Sequence, residues 1–147
     1  MNIIWTSKQI SQALNIKFSS QETFGRVHFN SQDVTKGDIF IALKGGARDG
    51  HDFVSDALER GAGIAIVSQD VKDVPVDKVI KVEDTFVALQ DFAEYKRHKS
   101  KACFIGITGS VGKTSTKEIL GLVLESFGKT FISRGNFNNQ IGVPINL

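Results

Sequence analysis

Apolar residues along this chain fall into short blocks set apart by turn-forming residues, and their period changes from block to block. Thr6 or Ser7 can cap a helix whose apolar positions Ile10, Ala13 and Leu14 lie three and four apart. Thr23 to Phe29 reads as a strand, and Asn30-Ser31-Gln32-Asp33 as a turn of short polar side chains that bond neighbouring backbone. Ile39 to Leu43 and Ile64 to Val67 are continuously apolar, the pattern of strands covered on both faces. Between them a glycine-rich loop, Lys44 to Asp52, leads into a helix from Phe53 to Arg60, which Gly61 to Gly63 ends. Asp77 to Val82 alternates and predicts a strand nearer a sheet edge. Thr85 to His98 places Phe86, Leu89, Phe92 and Ala93 on one face of a helix. Strands alternating with helices in this way predict an α/β fold.

The pattern then restarts. Ala102 to Ile107 is an apolar run that predicts another buried strand, with Cys103 inside it as a small core residue. Ile119, Leu120, Val123, Leu124 and Phe127 recur at helical spacing in Ser115 to Phe127, Lys129 to Ser133 reads as a second strand, and Arg134 to Gln140 as a polar loop. Lys96, Arg97, His98 and Lys99 close the preceding helix. Cations there complement the helix dipole by roughly 0.3–1 kcal/mol each, and a solvated run before a new strand has the character of a domain linker. The expected boundary is therefore near Ser100, between a small N-terminal α/β domain (1–100) and the start of a second α/β unit (101–147). Two strands cannot bury both faces of a nucleotide-binding sheet, so the chain is expected to stop, at Leu147, inside its second domain.

The chemistry concentrates where the second unit begins. The residues Gly106 to Thr116 read G-I-T-G-S-V-G-K-T-S-T, between the apolar run and the helix. Glycines let backbone N–H groups approach phosphate oxygens, and a helix N-terminus favours negative charge. In such a P-loop Gly109, Ser110, Val111, Gly112, Lys113, Thr114 and Ser115 would cradle the phosphates of ATP. Lys113 would reach the β- and γ-phosphates, and the Thr114 hydroxyl would meet magnesium. The strict loop pattern wants glycine where this chain has Ile107. A glycine-rich turn with an incidental lysine is the competing reading.

Composition narrows the classes. With 41% apolar and 23% charged residues and two prolines in 147, the chain has the make-up of a globular protein. A net charge of +2 argues for neither nucleic acid nor an acidic membrane surface. Neither a signal peptide nor a run of membrane-spanning length is legible, and the single cysteine excludes an internal disulfide. A cytoplasmic setting is expected.

Three blocks, Phe29 to Phe53 (F-N-S-Q-D-V-T-K-G-D-I-F-I-A-L-K-G-G-A-R-D-G-H-D-F), Gly106 to Glu118 (G-I-T-G-S-V-G-K-T-S-T-K-E) and Gly135 to Pro144 (G-N-F-N-N-Q-I-G-V-P), resemble the Mur ligases of peptidoglycan synthesis in content and spacing. The glycine departure noted above is how this family writes its loop. The resemblance implies a three-domain ATP-dependent amide ligase, in which the N-terminal domain holds the UDP end of the substrate and the central domain binds ATP and magnesium. The member it resembles most joins D-alanyl-D-alanine to UDP-N-acetylmuramoyl-tripeptide through an acyl phosphate. Of the catalytic residues that the resemblance implies, Lys113 is present; the acidic metal ligands and the others are expected beyond Leu147. Such an enzyme would act as a monomer, and this chain alone would be inactive. Alternatives are the member that adds the third amino acid, a folate-type ligase, and a phosphate-binding module without chemistry; the N-terminal block argues against the folate enzyme.

Residue by residue, Asn30, Ser31 and Gln32 fall where the family has an aspartate, a hydroxyl residue and an arginine beside the uridine pocket. Ser31 matches, and Gln32 lacks the cation that could meet a phosphate. A plain polar turn is the alternative. Lys44 to His51 matches the second uridine-side loop: Lys44 and Arg48 could neutralise diphosphate and His51 could bond base or ribose, against the alternative of a turn at Asp49-Gly50 with His51 or Asp52 capping the next helix. Asn136, Asn138 and Asn139 follow the second strand of the nucleotide unit and would face substrate in its crevice, or serve turn geometry alone.

Overall fold

The computed structural model describes residues 4–46, 48–133 and 144. Its first part is a three-layer α/β/α unit. A short antiparallel pair, β1 (Trp5–Thr6) and β2 (Thr23–Phe24), flanks α1 (Ser7–Leu14). The main sheet holds β3 (Val27–His28), β4 (Ile39–Ile41), β5 (Ile64–Val67) and β6 (Val79–Lys81) in that order, all parallel. Helices α2 (Val54–Glu59) and α3 (Thr85–Lys99) complete it.

Every residue of β4 and β5 is buried, as continuous apolar runs require when both faces of a sheet are covered. Alternation still divides their side chains. Ile39, Ile41, Ile64 and Ile66 join Ile10, Leu89, Phe92 and Trp5 on the side of α1 and α3. Phe40, Ala65 and Val67 meet Val54 and Ala57 of α2 on the other. The predicted edge strand is β6, at the end of the ladder.

Local chemistry sets the helix starts. Thr6 Oγ1 accepts from the Gln9 N–H and Gln9 Oε1 from the Thr6 N–H, a reciprocal cap on α1, and Asn15 ends that helix in the left-handed region at φ 51°. Asp84 Oδ1 accepts from the N–H groups of Phe86 (2.6 Å) and Val87 (3.2 Å) at the start of α3. The basic end of α3 is occupied with packing. Lys96 Nζ lies 4.1 Å from the Trp5 ring centroid and donates to the Ile4 carbonyl, Arg97 lies over Phe104 at 4.1 Å, and His98 meets Glu94 at 3.2 Å. Burial lowers the pKa of Lys96.

The structure corrects the strand expected over Thr23 to Phe29. It is two strands in two sheets, broken at Gly25-Arg26 by Asp38. The buried carboxylate takes the Arg26 N–H (2.9 Å), the Thr35 N–H (2.9 Å) and the Thr35 hydroxyl (2.6 Å), with His28 Nε2 at 3.3 Å. A Cβ on Gly25 would stand 2.1 Å from Asp38 Oδ1, so only glycine fits. Burial pushes the Asp38 pKa up, but its bonds to Thr35 and Arg26 and the nearby His28 outweigh that and hold it below the ordinary aspartate value.

The second part contains α4 (Lys113–Glu125), close to expectation. The expected strands over 102–107 and 129–133 are not formed, and Cys103 is exposed instead of buried. A strand exists only when a neighbour takes its backbone groups, and among the described residues none pairs with either run. Ile105, Ile119, Leu122 and Val123 consequently remain exposed. Gly121 is the buried residue of α4, covered by Ile132.

Candidate functional site

Between the exposed run and α4 the chain turns twice through positive φ, at Gly109 (152°) and Gly112 (80°). Gly112 is the N-cap of α4 and offers no side-chain oxygen, so the first amides of a helix of 13 residues have no side-chain cap. The helical ladder begins with Thr116 N–H on the Gly112 carbonyl at 2.9 Å. The half-buried Lys113 folds its ammonium back onto the Gly109 carbonyl, closing the loop on itself. Ser110, Val111, Thr114 and Ser115 are exposed around it. Positive dipole end, uncommitted amides, one cation and three hydroxyls are the donor set that polyphosphate requires. Lys117, one turn on, is engaged with the Ser133 carbonyl and with Glu118 at 3.0 Å.

The second group of predicted residues sits on loops that leave the C-terminal ends of the parallel strands, the usual ligand side of such sheets. After β3, Asn30 Oδ1 caps a 3-10 turn (Ser31–Asp33) and its amide bonds Asp33 at 3.1 Å. Gln32 is exposed. Ser31 is not: it is 5% exposed and its hydroxyl bonds the Asp56 carboxylate, which Arg60 Nε holds from the other side at 2.9 Å. Those two bonds, that from Ser31 first, lower the Asp56 pKa.

After β4 the loop closes on itself. Lys44 and Asp49 form an isolated antiparallel bridge, Gly45 N–H donates to the Arg48 carbonyl at 2.9 Å, and the side chains of Lys44 and Arg48 stand exposed. Gly50 N–H donates to the Leu43 carbonyl at 2.9 Å, and a Cβ there would meet Leu43 backbone at 2.6 Å, so the close approach demands glycine. Asp49 Oδ1 caps the following turn by accepting from the His51 N–H at 3.0 Å. That bond, then the one to the His51 ring, lowers the Asp49 pKa.

His51 departs from expectation. Its ring is buried, with Nδ1 2.5 Å from Asp49 Oδ1 and Nε2 accepting from the Ser68 N–H at 2.9 Å, so neither nitrogen is directed to a ligand. Ser31 and His51 therefore shape the rim from within, while Gln32, Lys44 and Arg48 present it. Thr85 Oγ1 adds a buried bond to the Ala42 carbonyl at 2.8 Å, joining the start of α3 to the end of β4. The bracing roles of Asp49, Asp56, Ser68 and Thr85 escaped the sequence reading. The D-G-H turn contained a signal for Asp49, whereas the others become meaningful only through partners distant in sequence.

Asn136, Asn138 and Asn139 lie outside the described residues. So does Leu147; among the described residues no group of three or more His, Cys, Asp or Glu side chains could hold a metal ion. A cavity of about 730 Å³ is lined by Gly25, Arg26, His28, Asp33, Thr35, Lys36 and Asp38; it shares Asp33 with the turn after β3 and contains neither Lys44 nor Arg48.

The family description "Mur ligase family, catalytic domain" matches residues 24–97, half of the chain, and "Mur ligase middle domain" matches 107–147. The chain belongs to the Mur ligase family. It is 54% identical over 145 residues to the UDP-N-acetylmuramoyl-tripeptide–D-alanyl-D-alanine ligase of Rickettsia prowazekii (strain Madrid E), a match covering 99% of the chain and 32% of that relative. Among solved structures it resembles MurF from Acinetobacter baumannii with a TM-score of 0.86 and 36% identity, over 97% of this chain and 32% of that one. MurF ligase from Thermotoga maritima in complex with ADP matches with a TM-score of 0.72 and 38% identity, over 82% and 28%. The chain thus spans about a third of the length of these Mur ligases, and the parallel-sheet α/β architecture is theirs.

Proposed function

We propose that this chain supplies the UDP-substrate rim and the phosphate loop of an ATP-dependent amide ligase that joins D-alanyl-D-alanine to UDP-N-acetylmuramoyl-tripeptide. The observation that carries this reading is 54% identity to a ligase of that name across both the rim and the loop. Residues 1–100 form the substrate domain and 101–147 the opening of the nucleotide domain. Two observations support that division: α3 ends at Lys99, and the family matches stop at 97 and resume at 107.

The residues fit the chemistry. A carboxylate resists an amine because its leaving group would be oxide, and phosphorylation provides phosphate as leaving group instead. Charge gathers on the transferred phosphoryl group as it moves. Lys113 and the amides from Gly109 to Ser115 offset it: the backbone is already shaped by its two positive-φ glycines, and Lys113 exchanges the Gly109 carbonyl for a phosphate oxygen. Thr114 is exposed at the first turn of α4, where its hydroxyl can serve as a magnesium ligand. Magnesium, when bound, supplies charge neutralisation on the phosphates. The chain spans about a third of its relatives' length, and we assign to it the binding of pieces of the substrates. The ADP complex of the Thermotoga relative supports nucleotide at this loop. On the rim, Lys44 and Arg48 meet the diphosphate, Gln32 borders it, and Asn136, Asn138 and Asn139 are assigned to substrate contact by the sequence pattern. ATP and a UDP-linked precursor imply cytoplasmic work, which we assign to a monomer; among the described residues no helix is long and apolar enough to cross a membrane.

Mass spectrometry of the product made by a family-length ligase carrying this chain tests the reading. A UDP-tripeptide that gains D-alanyl-D-alanine less one water supports it. Gain of a single amino acid by the shorter dipeptide precursor would assign the chain to the preceding step, and no gain at all would reduce it to nucleotide binding.

A further inference from the structure

The rim is tied together by one buried imidazole. Ser68 N–H is only a donor, so His51 Nε2, which accepts from it at 2.9 Å, is unprotonated; Nδ1 then bears the hydrogen and donates to Asp49 Oδ1 at 2.5 Å. The ring is 6% exposed and neutral in this arrangement. Asp49 is bridged through its backbone to Lys44, and the same loop closes through Gly45 N–H on the Arg48 carbonyl. Gln69 Nε2 reaches the other Asp49 oxygen at 3.4 Å and the Ser68 hydroxyl lies 3.3 Å from Nε2, so the turn after β5 holds the loop after β4 at several points.

We propose that His51 is a positioning residue, which holds Lys44 and Arg48 at the spacing the UDP end of the substrate needs by tying their loop to Ser68. This rests on the ligase reading above, and it makes Ser68 and Asp49 parts of the substrate site although neither need touch substrate. The side chain acts through its two hydrogen bonds, and each can be kept without the other. His51→Gln retains an acceptor for the Ser68 N–H, His51→Asn retains a donor near Asp49, and His51→Ala keeps neither.

In a family-length ligase carrying this chain, His51→Ala should raise KM for UDP-N-acetylmuramoyl-tripeptide about tenfold, the effect of roughly 1.4 kcal/mol of lost support. KM for ATP and kcat should change less than about twofold, because the phosphate loop is untouched. His51→Gln and His51→Asn should fall between wild type and alanine. Nitrogen NMR of the wild-type chain should show Nδ1 protonated and Nε2 bare. If alanine does not fold, the glutamine and asparagine variants and the NMR signature decide. A protonated Nε2, or folded variants with wild-type KM for the UDP substrate, would overturn the proposal. If the wild-type ligase itself ignores the UDP substrate, the ligase reading falls, and this inference with it.

Discussion

Two side chains carry the account at the residue scale. Lys113 is the cation of the phosphate loop, and in the free loop it bonds the Gly109 carbonyl, an acceptor that a phosphate oxygen can replace. In a family-length ligase Lys113→Ala should lower kcat by at least about 10²-fold, as removal of one preorganised donor does, with the thermal unfolding midpoint unchanged. Near-normal ATP turnover would remove the loop from the mechanism. Asp38 serves the fold instead. Its folded pKa is lowered relative to the ordinary value of 3.8, so it contributes stability above that value and the contribution is lost as pH falls through the lower, folded pKa. Denaturant unfolding from about pH 6 down to about pH 2 should show an acid limb that Asp38→Asn flattens; parallel curves for the two proteins would refute the assignment. Little of this residue was readable in advance. The D in K-G-D-I-F looks like part of a turn, and its partners Gly25 and Arg26 lie in what reads as an unbroken strand.

Elements were legible where their pattern is local. The runs at β4 and β5 declare themselves by continuous apolarity, and α1 by its Thr6–Gln9 cap. Ala102 to Ile107 shows the same apolarity yet stays exposed up to Gly106, because a strand is a property of a pair and its own residues do not contain the partner. Ser31 and His51 show a related limit: sequence placed both in the correct loops but not the direction of their side chains. The junction of β4 and α3 depends on such a non-local bond. Thr85→Val keeps the shape of the side chain but leaves the buried Ala42 carbonyl without its donor, at a cost of about 1–3 kcal/mol, while Thr85→Ser should lose less. Urea unfolding of the three proteins measures this, and equal stability of valine and wild type would show that the bond contributes nothing.

The whole molecule joins two kinds of site with different degrees of preparation. The rim we assign to the substrate is held by buried bonds from the strand ends around it, Ser31 to Asp56, His51 to Asp49 and Ser68, and Thr85 to Ala42. The phosphate loop is shaped by its own glycines, while α4 behind it leaves most of its apolar face open. The proposed reaction uses both, since in it the rim would bring a carboxylate-bearing substrate and the loop the phosphate that activates it. The most direct test follows one oxygen atom. UDP-N-acetylmuramoyl-tripeptide labelled with ¹⁸O in its terminal carboxylate is incubated with ATP, magnesium, D-alanyl-D-alanine and a family-length ligase carrying this chain, and the released phosphate is weighed. An acyl phosphate puts one labelled oxygen into each phosphate, because the carboxylate attacks phosphorus and the amine then expels phosphate from the acyl carbon. Phosphate free of label, in a reaction that still forms the amide, would contradict the account.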